Sequence, residues 1–105
     1  MYSRVVSMRL KSNSKPEFTR IIENDVLPIL RKQKGFQDEI TFVAANGTDA
    51  LGISIWDNKD SAEAYQRTAY QDVMKALQKV LEGTPRVETY EIANSTVHRI
   101  AAKAA

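Results

Sequence analysis

Trp56 stands in the stretch GISIWDNKDSAEAYQ, residues 52–66, where an alternating apolar run gives way to a helix-like one. An indole at such a junction either fills a core or walls a pocket for an aromatic molecule, and the two roles can coexist. Tyr65 and Tyr70 follow, on or beside the apolar stripe of that helix. A buried tyrosine needs a partner for its hydroxyl, which a neighbouring side chain or a ligand can supply. The acid–base repertoire is thin: Glu17, Glu63, Glu88 and Glu91 are explained by helix caps and solvent faces, and no spaced pair of carboxylates points to general acid–base work. With no cysteine, one histidine and four scattered glycines, the chain builds no thiolate nucleophile, triad, metal motif or phosphate loop.

The elements that must position these aromatics follow from periodicity and punctuation. Val6, Met8 and Leu10 alternate with Ser7, Arg9 and Lys11, which predicts a first strand over 3–11 with one buried face. Ser14-Lys15-Pro16-Glu17 has the form of a capping box, so a helix starts there. Its apolar stripe runs through Phe18, Ile21, Ile22, Val26, Ile29 and Leu30, and Gly35 ends it behind Arg31, Lys32 and Lys34. Pro28 lies inside this helix and should bend it near Asn24, either to wrap it over a curved sheet or to shape a pocket. The runs 39–45 and 50–56, joined through Asn46-Gly47, predict a β-hairpin with a type I′ turn. Asp57 or Asn58 caps a second helix over 59–67, and a break near Thr68 and Ala69 precedes the stripe Tyr70, Val73, Met74, Leu77, Val80 and Leu81. Gly83 and Pro85 should end this helix before a last strand over 86–93.

The order β-α-β-β-α-β predicts a four-stranded antiparallel sheet with both helices on one face, the ferredoxin-like α+β arrangement, over a domain 1–95 with a tail 96–105. His98 falls in that tail, with a solvated or packing role. Leu51, Ile53 and Ile55 face away from Gly52, Ser54 and Trp56, so the open sheet face is apolar and a homodimer, sheet against sheet, is expected. A chain of 105 residues and 11.8 kDa has one modest core, which fits this. Although the pI is near 9.0, the charges are mixed along the chain, which argues against nucleic acid. An RNA-recognition module shares the strand order, yet strand three reads ALGISIW and carries none of its signature. No run is long and apolar enough for a membrane span, and a cysteine-free chain suits the cytoplasm.

With RVVSMRLK on strand one, VLPILRKQKGF ending helix one and GISIWDNKDSAEAY at the strand-to-helix junction, the chain resembles the antibiotic biosynthesis monooxygenase superfamily over 3–92. The resemblance implies a dimeric α/β-barrel and an apolar pocket between sheet and helices. It further implies a cofactor-independent monooxygenase that needs no metal and acts on a small aromatic or quinone-like substrate. On it, Trp56, Tyr65, Tyr70 and Arg9 surround the ligand, orienting it and stabilising developing oxyanion charge. In the heme-degrading branch of the superfamily the matching positions are an Asn, a Trp and a His; here they are Met8, Tyr65 and Gln78, so heme is not expected. The alternative is a non-catalytic dimer of the same fold that binds a small apolar ligand or serves a structural role.

Overall fold

In the computed structural model, which describes residues 1–98, the alternation of Val6, Met8 and Leu10 places all three on the buried face of β1 (Tyr2–Leu10). β1 is a central strand. It pairs antiparallel with β3 (Asp49–Trp56) on one side and β4 (Leu81–Glu91) on the other, and β2 (Phe36–Val43) completes the order β2-β3-β1-β4. The helices cover one face, giving the ferredoxin-like α+β arrangement.

The first helical segment comes in three pieces: α1 (Lys15–Ile21), a π-helical turn over Ile22–Val26 and α2 (Leu27–Arg31). Pro28 explains the interruption. Its ring nitrogen cannot donate to the carbonyl of Asn24, so the ladder widens there, with the Leu27 N–H reaching back to Ile22, and Pro28 sits harmlessly in the first turn of α2. The capping box does not form. Asn13 at φ 60 delivers the chain to Ser14 already in helical φ/ψ, so the Ser14 hydroxyl only approaches the Ser12 carbonyl at 3.5 Å, and Glu17 turns to Arg20 and Lys79.

The hairpin is present with another turn. Only Gly47 takes a positive φ; Asn46 acts through its side chain, Oδ1 accepting from the backbone N–H groups of Thr48 (2.9 Å) and Asp49 (3.1 Å). Asn58 caps α3 (Lys59–Arg67), accepting from the Ser61 N–H at 2.9 Å, and Thr68 breaks the path before α4 (Tyr70–Leu77). Gly83 and Pro85 lie inside β4 rather than before it. Gly83 adopts φ 68 where the register with β1 shifts between Ser7 and Arg9, and an edge strand tolerates the donor that Pro85 lacks.

Leu10, Phe18, Ile21, Trp56 and Leu77 are the largest fully buried side chains and lie between the sheet and the helices. The opposite sheet face presents Ile40, Phe42, Leu51 and Tyr90, all exposed, with Phe42 and Tyr90 at 51%. Of the expected tail, residues 99–105 lie outside the described residues; in the described part His98 Nε2 stands 3.5 Å from Asp38 Oδ2. No helix among the described residues is long and apolar enough to cross a membrane.

Candidate functional site

Strand register assembles the site. Glu39 of β2 pairs with Ser54 of β3, and Ser54 pairs with Arg4 of β1, so an acid, a hydroxyl and a cation form one row across the helix-facing side of the sheet. In the next row Thr41, Gly52 and Val6 are partners. Gly52 leaves bare backbone at the centre of the sheet: a Cβ there would stand 3.3 Å from Met8 Cε and 3.9 Å from Glu39 Oε2. Over this floor the π-helical turn brings Ile22 and Val26, α2 brings Leu30, and α3 and α4 bring Tyr65, Tyr70, Val73, Met74 and Leu77. The cavity is about 40 Å³, room for about three waters. Tyr70 and Met74 also line an adjoining groove of about 550 Å³ between α4 and the start of β4, and so separate the two spaces.

Arg4 dominates the electrostatics. The residue is 2% exposed, its guanidinium carbon lies 5.0 Å from the Tyr65 ring centroid and 4.5 Å from that of Tyr70, and Nη2 donates to the neutral Gln66 Oε1. Among the described residues it enters no salt bridge. Burial lowers its pKa from the usual 12.5, with Tyr65 and Tyr70 opposing the shift. Burial likewise raises both tyrosines, although nearby Arg4 pulls the other way, so both phenols stay protonated donors through neutral pH. Glu39 is raised by burial too, its Oε2 accepting from Thr41 Oγ1 at 2.7 Å.

Tyr65 and Tyr70 come together, ring centroids 5.9 Å apart, and both line the cavity. Trp56 is set behind them. Fully buried, it stacks on Tyr65 at 4.9 Å, meets the edge of Phe36 at 5.6 Å and donates Nε1–H to Ser54 Oγ at 2.9 Å, so it braces the cavity wall without facing the cavity. Arg9 is not brought to the site. Odd-numbered residues of β1 face the open side of the sheet, and there the Arg9 side chain is 65% exposed and 3.9 Å from Asp49. The same alternation puts Arg4 with Val6 and Met8 on the buried face, a signal present in RVVSMR that points to Arg4 instead. Glu39 was equally open to a parity argument, sharing its face with Thr41 and Val43 while Ile40 and Phe42 take the other. Among the described residues no three His, Asp or Glu side chains gather as a metal-ligand set.

No family model and no curated protein matches the sequence. Solved structures do. SnoaB, a cofactor-independent oxygenase from Streptomyces nogalater, superposes with a TM-score of 0.74 at 12% identity, over 90% of this chain and 95% of that one. A monooxygenase from the gene ActVA-Orf6 of Streptomyces coelicolor, solved with the ligand nanaomycin D, gives 0.73 at 17% identity, over 90% and 88%. A proposed antibiotic biosynthesis monooxygenase from Bordetella bronchiseptica gives 0.74 at 12%, over 87% and 95%. The chain has the antibiotic biosynthesis monooxygenase fold. At such identities the shared property is the fold, and the chemistry of this chain has to be argued from its own cavity. Within this antibiotic biosynthesis monooxygenase fold, that cavity carries Arg4, Glu39 and Ser54 on its sheet side and two tyrosines among apolar side chains on its helix side.

Proposed function

We propose that the protein is a cofactor-independent monooxygenase acting on a small hydroxylated aromatic, hydroquinone-like or quinone-like. The observation that carries this reading is Arg4: a buried guanidinium that lines a largely apolar cavity and enters no salt bridge among the described residues. Burying a cation without an anion is costly, and an anionic oxygen on a ligand removes that cost. Tyr65 and Tyr70, raised by burial, are fixed donors beside it. The flat ring of the substrate lies against Val6, Ile22, Val26 and Leu30, entering from the outer groove as the flexible Met74 side chain gives way. In such a dry site the substrate, as its own carbanion, reduces O₂: one oxygen atom stays on the ring as a new carbonyl and the other leaves as water. Arg4 and the tyrosines hold the negative charge on the ring oxygen meanwhile.

The small cavity volume and the enclosed Trp56 favour a second reading, a non-catalytic protein that binds such a molecule without oxidising it. An oxygen electrode separates the two. With hydroquinones and anthrone-type phenols in metal-free buffer, the oxygenase consumes O₂ in proportion to protein, and the binder leaves the blank rate unchanged.

The exposed Ile40, Phe42, Leu51 and Tyr90 form an apolar surface on the open side of the sheet, and in our reading a second copy covers it. Light scattering should then give twice the 11.8 kDa chain mass, and a monomer at micromolar concentration overturns the dimer.

A further inference from the structure

We propose that Glu39 takes the proton of the bound hydroxyl, so that the pocket ionises its ligand between a carboxylate on β2 and the Arg4 guanidinium on β1. The inference rests on the reading above and narrows its substrate class to aromatics with a hydroxyl at one end and a carbonyl oxygen conjugated with it at the other.

Three geometric facts lead to it. Glu39 and Arg4 are the ends of one cross-strand row through Ser54, so their Cα atoms are roughly 10 Å apart at the usual strand spacing, and both side chains line the same cavity. That span suits a ring with an oxygen at each end. Beside this row Gly52 presents no side chain, which leaves the Glu39 carboxylate over open floor. Finally, Thr41 occupies Oε2 at 2.7 Å, and among the described residues Oε1 accepts no hydrogen bond and is left for the ligand.

Glu39 also reaches water on its other side. It lines an outer groove between α2 and β2 with Leu27, Arg31, Phe36, Gln37 and Asp38, which gives the captured proton a way out. The charged and titratable groups around it are Arg4 from β1, Tyr65 from α3, Tyr70 from α4, Arg31 from α2 and Asp38 of its own strand. Burial first, and then Asp38, raises Glu39 above its usual 4.5, which brings its basicity closer to that of a phenolate.

The step balances simply. The ligand O–H bond breaks, its electron pair stays on the ligand, the proton bonds to the Glu39 carboxylate, and conjugation carries the charge to the oxygen facing Arg4. No electron changes hands, and the summed charge of pocket and ligand is unchanged.

Para-nitrophenol tests this directly, because its nitro group stands in for the second oxygen and its phenolate is yellow. Titrated with protein just below its own pKa, the probe should bind wild-type protein as the yellow phenolate with no proton released to a weakly buffered indicator. Glu39→Gln keeps Arg4 and should bind it yellow as well, but with the proton released to the indicator. Glu39→Asp, which keeps the carboxylate, should again hold back part of that proton. A Glu39→Gln protein that binds the probe yellow with no proton released overturns the proposal and leaves the Arg4 reading standing, as does a wild-type complex that releases the proton, whereas a wild-type complex that is colourless overturns both. Failure of the wild-type protein to bind the probe at all overturns both.

Discussion

The guanidinium carbon of Arg4 lies 4.5 Å from the centroid of the Tyr70 ring, inside the sheet–helix interface and 2% exposed. Tyrosine faces and the Gln66 carbonyl soften the burial of this cation without neutralising it. Such a residue is retained for what it binds more readily than for what it holds together. Arg4→Met, similar in length and apolar, should therefore unfold in urea at the same denaturant concentration as wild type or at a higher one, by up to about 1 kcal/mol. A loss of about 3 kcal/mol would make Arg4 a structural residue instead.

Trp56 belongs to the frame. Trp56→Phe keeps the edge contact with Phe36 in kind but loses part of the stack on Tyr65 and the bond to Ser54, and leaves a void in a fully buried site. The cost should be about 2 kcal/mol in urea unfolding, with ligand affinity reduced only slightly because Tyr65 remains at the cavity wall. If affinity collapses while stability holds, Trp56 touches the ligand.

Gly52 makes the opposite separation. A methyl group there meets Met8 Cε at 3.3 Å and occupies the floor of the cavity, in a strand position where the backbone is not left-handed. Gly52→Ala should leave the thermal midpoint near wild type, since alanine costs a strand no more than glycine does. Binding of para-nitrophenol should weaken at least tenfold, and an unchanged affinity would place the ligand elsewhere.

Glu39 should leave a mark on stability against pH. Its pKa is raised above the usual 4.5, so the folded chain binds its proton more tightly than the unfolded one, and stability falls as pH rises from about 4.5 to the folded value. Glu17, held low by Arg20 and Lys79, and Glu88, held low by Tyr90 and Arg86, act oppositely: their contribution is present above 4.5 and lost as pH falls through their folded values. In urea midpoints across the mildly acidic range, Glu39→Gln should remove the decline above 4.5 and leave the loss on the acid side. Parallel curves for the two proteins would show that Glu39 is not strained by burial.

Local chemistry made most of the fold legible. Pro28 foretold the irregular turn at Asn24, Asn58 the start of α3 and Thr68 the break before α4, because each acts on backbone within one turn of itself. Ser14 failed as a cap because the positive φ at Asn13 is not written in a capping pattern, and Gly83 and Pro85 read as a helix stop because a bulged edge strand uses the same residues. The site was harder to see. Strand parity already separates Arg4 from Arg9, but the row Glu39–Ser54–Arg4 depends on how β1 pairs with β3 across the intervening residues 11–48, and that register is a tertiary fact. The size of the cavity depends in turn on a π-helical turn whose presence Pro28 implies but whose closure over Gly52 it does not.

The central claim is that Arg4 anchors an anionic oxygen on an aromatic ring. Calorimetric titration of wild-type and Arg4→Met protein with naphthol and with naphthalene, which share a ring system and differ by one hydroxyl, tests it most directly. Wild-type protein should prefer naphthol by roughly tenfold or more, the preference a charge-assisted hydrogen bond supplies, and Arg4→Met should bind the two alike. Equal affinity of the wild-type protein for both molecules, or a preference that survives in Arg4→Met, would contradict the account.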